Sequence, residues 1–81
     1  MKLRELVEST ALQGLVILEE FDEKTQECRE IWRSYEDSDR VWFPSEYRNS
    51  TINYMYAETR NARLGYSKAA LVVELMMPHT A

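Results

Sequence analysis

The sequence predicts an α+β domain in the order helix, β-hairpin, short helix, β-hairpin. Its four strands form one antiparallel sheet, and the first helix packs on one face. Three observations predict this. Leu15–Leu18 and Ala70–Leu75 are apolar runs rich in β-branched residues, residues 51–56 alternate in polarity, and Leu3, Leu6 and Val7 recur at i, i+3 and i+4. With 81 residues, 44% hydrophobic and 30% charged, and only two Gly and two Pro, the chain has the composition of one folded domain spanning 1–81, with 77–81 as a frayed tail. A domain of this size buries little more than about 60% of its unfolded surface, so most of its large side chains are needed inside.

The opening helix is predicted over Lys2–Ser9. At roughly two turns it depends on packing against the sheet. Ser9, Thr10 and Gly14 supply its exit. The first hairpin occupies Leu15–Tyr35, turning through Asp22–Thr25. A three-residue loop at Glu23–Thr25 sets Ile17 opposite Ile31 and Glu19 opposite Arg29, pairs that each contribute roughly 0.2–1 kcal/mol. Such a loop calls for Gly in the left-handed position, and none is present. A helix over 22–35 is the competing reading, because Phe21, Thr25, Cys28, Trp32 and Tyr35 also recur at helical spacing. The adjacent β-branched and aromatic pair Ile31-Trp32 favours the strand.

Glu36–Arg40 is a polar connection, and Val41-Trp42-Phe43 returns the chain to the core. Pro44 suits the first position of a short helix continued by Ser45–Arg48. A strand over Thr51–Tyr56 points Ile52, Tyr54 and Tyr56 one way and Thr51, Asn53 and Met55 the other. A long basic loop, Glu58–Lys68, joins it to a closing strand over Ala70–Met76 that stops before Pro78.

The segments Leu3–Val7, Phe21-Asp22, Phe43–Tyr47, Ile52–Tyr56 and Ala70–Leu75 give the chain a resemblance to a loose group of small uncharacterised α+β proteins encoded by phages and mobile elements of Gram-positive bacteria. The group implies no activity, so it assigns no functional residue. The missing Gly in the first turn and the long loop over 58–68 depart from its pattern.

Charge is divided unevenly. Residues 19–39 hold nine acidic and three basic residues, whereas residues 40–70 hold five basic and two acidic ones, within a net charge of -4. The acidic residues either guard a hairpin edge against aggregation or form a docking face for a partner protein with a basic surface. Glu19, Glu20, Asp22, Glu23, Glu27 and Glu30 would carry that face. Trp32, Trp42 and Phe43 are read as core, with Trp42 the leading contact residue if it proves exposed. Tyr54 and Tyr56 with Arg60, Arg63 and Lys68 form an alternative single-stranded nucleic-acid surface, which the overall acidity disfavours.

Catalytic constellations are missing from the sequence. His79, the single histidine, lies in the predicted tail, and Cys28 has no histidine near it and is read as a small core residue. Hairpin carboxylates are read as exposed, without the burial that would separate their pKa values. No phosphate loop, nucleophile motif or set of metal ligands is present, so no cofactor is expected. One cysteine excludes an internal disulfide, and no apolar run approaches membrane-spanning length. The expectation is a cytoplasmic, non-enzymatic protein-binding protein, an inhibitor or adaptor of a host protein, for which an anti-CRISPR-like role is one version. Self-association through an exposed strand edge, in the first hairpin or in Ala70–Met76, is a third reading that leaves monomer or homodimer open.

Overall fold

The computed structural model describes residues 1–9, 11–61, 65 and 67–76. The chain folds as α1 (Leu3–Ser9), β1 (Leu15–Asp22), β2 (Glu27–Arg33), a 3-10 turn η1 (Ser45–Tyr47), β3 (Ile52–Asn61) and β4 (Ser67–Leu75). The predicted elements are therefore present, and residues 22–35 contain a strand rather than a helix. Both strands of the second hairpin are longer than predicted, so Glu58–Asn61 and Ser67–Lys68, read as loop, belong to β3 and β4.

The predicted antiparallel sheet is corrected to a mixed one. Its strand order is β2-β1-β4-β3, with β1 and β4 running parallel and the two hairpins antiparallel. The physical reason lies in β1 and β4 themselves. They carry the longest apolar runs, are buried along most of their length, and so take the two central positions. Residues 34–51 cross from one edge of the sheet to the other and deliver β3 beside β4, leaving β4 parallel to β1.

The first hairpin also differs in register. Ile17 stands opposite Arg33 and Glu19 opposite Glu30, while Glu20 takes Arg29, and the ladder shifts between Leu18 and Glu19. The four-residue connection Glu23–Gln26 needs a left-handed residue, and Gln26 supplies it at φ 59° where glycine was expected. Asp22 anchors the turn: its side chain accepts the Lys24 N–H at 2.9 Å and its carbonyl accepts the Gln26 N–H at 2.8 Å. The shift skips Ile31 in the ladder, and both Ile31 and Trp32 pack half-buried against the main core.

Two clusters occupy opposite faces of the sheet. Leu3, Leu6 and Val7 of α1 cover the first, with Val16, Leu18, Val41, Phe43, Val73 and Leu75. The second contains Leu15, Ile17, Ala70 and Val72, with Tyr56 against it, and among the described residues no helix lies on this face. No helix of the described residues is long and apolar enough to cross a membrane.

Candidate interaction surface

The six acidic residues predicted to share one docking face divide into two groups. Glu19 and Glu20 are each 5% exposed, and alternation along β1 sends them to opposite faces. Glu19 accepts the Tyr56 hydroxyl at 2.7 Å and the Arg60 guanidinium at 3.1 Å, while Glu20 pairs with Arg29. Asp22, Glu23 and Glu27 are exposed around the hairpin tip. Glu30 is exposed as well, but it is held by Arg33 at 2.6 Å. The acidic stretch of sequence is therefore part structural and part surface.

Glu74 was in no predicted site, yet it is 2% exposed and stands beside Glu19 in the parallel ladder. It accepts the Cys28 thiol at 2.9 Å and the Asn53 amide at 2.5 Å. The signal for it was a single carboxylate inside an apolar strand, which has to be satisfied if buried. Cys28 is exposed rather than core, because β2 is an edge strand at that point. Its hydrogen bond to Glu74, and then burial, raise its pKa to about 11, so the thiol stays protonated and unreactive near neutrality. The hydrogen bond to Glu19, then burial, lifts Tyr56 to about 12. Burial lowers the Arg60 pKa, but its bonds to Glu58 and Glu19 outweigh this and raise it. The reading of hairpin carboxylates as exposed is thus corrected for Glu19 and Glu20.

These bonds also bear on the nucleic-acid surface. Arg60 is engaged by Glu19 and by Glu58 at 2.7 Å, and Tyr56 donates to Glu19, so neither presents a free group. Tyr54 is half exposed against Tyr56, with ring centroids 5.7 Å apart, and Lys68 is half-buried in β4. Arg63 and His79 lie outside the described residues, as does the predicted tail over 77–81.

No protein-family model, curated protein or solved structure matches this chain.

The second exposed feature lies at the other end of β2. Trp42, expected in the core, is 57% exposed, and the reason is local. Val41 and Phe43 turn into the core at 2% and 1% exposure, and Trp42 between them faces outward. The Val41 N–H donates to the Leu12 carbonyl at 2.8 Å, and Phe43 meets Trp32 edge to face at 5.5 Å, so both anchors are fixed. The Arg40 guanidinium sits 4.5 Å from the Trp42 ring centroid, a cation–π contact. Trp32, Arg33, Ser34, Val41 and Trp42 line a cleft of about 380 Å³ with Tyr35, itself 66% exposed, on its rim. Among these, buried Ser34 accepts the Val16 N–H at 2.8 Å and donates to the Gly14 carbonyl at 2.7 Å. Among the described residues, no three His, Cys, Asp or Glu side chains are grouped to hold a metal ion.

Proposed function

We propose that this chain is a non-enzymatic binding protein that docks on a partner protein through the aromatic cleft around Trp42. The observation that carries this reading is an exposed tryptophan held outward by two buried neighbours. Large aromatic side chains and arginine dominate binding energy at protein interfaces, and a side chain already ordered in the free protein loses less entropy on binding. Arg40 on the ring and Tyr35 at the rim add the polar periphery such contacts use. A non-catalytic role is supported by the internal engagement of Glu19, Glu20 and Glu74 and by the protonated Cys28 thiol. An inhibitor or adaptor acting on a host protein, the anti-CRISPR-like version included, is the specific form of this reading and draws on the resemblance to phage-encoded proteins.

The test is capture of partners from a nuclease-treated lysate of the encoding organism, followed by affinity measurement. Trp42→Ala is expected to weaken binding at least ~30-fold, the equivalent of about 2 kcal/mol. Its stability should change by less than about 1 kcal/mol, since most of the ring faces water. Unchanged affinity in the folded variant rejects the cleft as the site.

One observation favours a second reading. Asp22, Glu23 and Glu27 are exposed together and form no salt bridge among the described residues, an arrangement that would steer a basic partner toward the hairpin tip. Binding through them would fall with rising salt and with Asp22→Asn, Glu23→Gln and Glu27→Gln combined.

A further inference from the structure

The strand order leaves two edges, and they differ in how they are guarded. β2 carries Glu27, Arg29, Glu30 and Arg33 within seven residues and has an irregular ladder at Ile31, features that discourage pairing with another strand. β3 is ten residues long, contains no Pro, Gly or Lys, and after its first residues pairs regularly with β4. Its two charges, Glu58 and Arg60, neutralise each other at 2.7 Å. Self-association through Ala70–Met76 is excluded, because β4 lies between β1 and β3.

The chain itself covers only the beginning of the β3 edge. Lys2 bridges Thr51, and the Ile52 N–H donates to the Met1 carbonyl at 2.8 Å. The edge from 53 to 61 has no strand on its outer side among the described residues. We propose that this edge pairs antiparallel with the same edge of a second copy, about a two-fold axis at Ala57.

Two properties single out that register. Ala57 is the midpoint of 53–61, so an axis there matches the whole free edge with itself. It also sets Tyr54 opposite the partner's Arg60, Tyr56 opposite the partner's Glu58, Met55 opposite the partner's Thr59, and the smallest side chain of the strand opposite itself. No like charges face each other, whereas an axis at Glu58 or Arg60 would oppose identical charges. A two-fold axis through a facing residue pair satisfies antiparallel hydrogen bonding whether that pair is hydrogen-bonded or not. Even-numbered residues meet even-numbered ones, so the faces without helices become continuous across an eight-stranded sheet.

Sedimentation equilibrium on the intact protein over a wide concentration range tests the association. The wild type is expected to pass from monomer to dimer, and Ala57→Lys, which opposes two ammonium groups at the axis, is expected to stay monomeric with an unchanged circular dichroism spectrum. Cysteine crosslinking in a Cys28→Ser background tests the register. Ala57→Cys should form a disulfide dimer on mild oxidation, because facing residues have Cβ atoms about 5 Å apart. Asn61→Cys should not, because its copy would lie about 27 Å away at about 3.4 Å per residue. A wild type that is monomeric throughout, a folded Ala57→Lys that still dimerises, or crosslinking at 61 as fast as at 57 would overturn the proposal.

Discussion

The two faces of the sheet solve the same problem with different chemistry. On the first, α1 and the 41–43 segment lay Leu3, Leu6, Val7, Val41 and Phe43 over Val16, Leu18, Val73 and Leu75, and burial of apolar area holds the layers together. On the second, Leu15, Ile17, Ala70 and Val72 are equally buried with no helix above them among the described residues. Long polar side chains close that face instead. Arg33 spans from Glu30 to the Asn61 carbonyl at 2.7 Å, and Arg60 and Tyr56 reach Glu19. A small domain can thus complete its core with one helix if its buried carboxylates find enough donors. The consequence for function is that those carboxylates are already engaged inside the chain, whereas the hairpin tip, the Trp42 cleft and the β3 edge are exposed among the described residues.

The largest effect should come from the helix-covered face. Phe43→Ala removes a side chain 1% exposed and is expected to destabilise by about 3–5 kcal/mol, enough to unfold much of a marginally stable domain, as read by urea denaturation. Glu19→Ala on the other face should cost less, about 2 kcal/mol. It strips Tyr56 and Arg60 of an acceptor, but Arg60 is 26% exposed and keeps Glu58. Glu19→Gln, which retains an acceptor, should recover part of the loss.

Alkaline pH separates the faces without mutation. Cys28 and Tyr56 donate as neutral groups, with pKa values raised from 9.0 to about 11 and from 10.0 to about 12. A raised folded pKa means that the stabilisation is fully present below the unfolded value and lost as pH climbs through the folded one. Stability should therefore decline between about pH 9 and 12, and Tyr56→Phe should flatten the upper part of that decline. At pH 8, Cys28 should be alkylated tens of times more slowly than an ordinary exposed thiol, and Glu74→Gln should speed the reaction. The smallest effect belongs to the hairpin tip, where Asp22→Asn, Glu23→Gln and Glu27→Gln should each shift stability by no more than about 0.5 kcal/mol.

The pattern of legibility follows the range of each interaction. α1, the two hairpins and the turn after Pro44 were readable because apolar spacing and turn residues act locally. The meeting of β1 with β4 was not, since hairpin signals pair neighbours and say nothing about which strands of two hairpins lie side by side. Val41-Trp42-Phe43 was read as a unit bound for the core, although only Val41 and Phe43 turn into it. Glu19 and Glu20 were grouped with Asp22, Glu23 and Glu27 because a charge run in sequence does not reveal which carboxylates are buried: Glu19 takes its donors from Tyr56 and Arg60, some forty residues away, and Glu20 from Arg29 on the neighbouring strand.

The most direct measurement is a parallel capture with three baits: the wild type, Trp42→Ala, and the variant combining Asp22→Asn, Glu23→Gln and Glu27→Gln, each confirmed folded and treated with nuclease. A partner held by the wild type and the tip variant but lost by Trp42→Ala is the predicted result. A partner that survives Trp42→Ala and is lost when the tip is neutralised would contradict it and move the binding site to the acidic end of the hairpin.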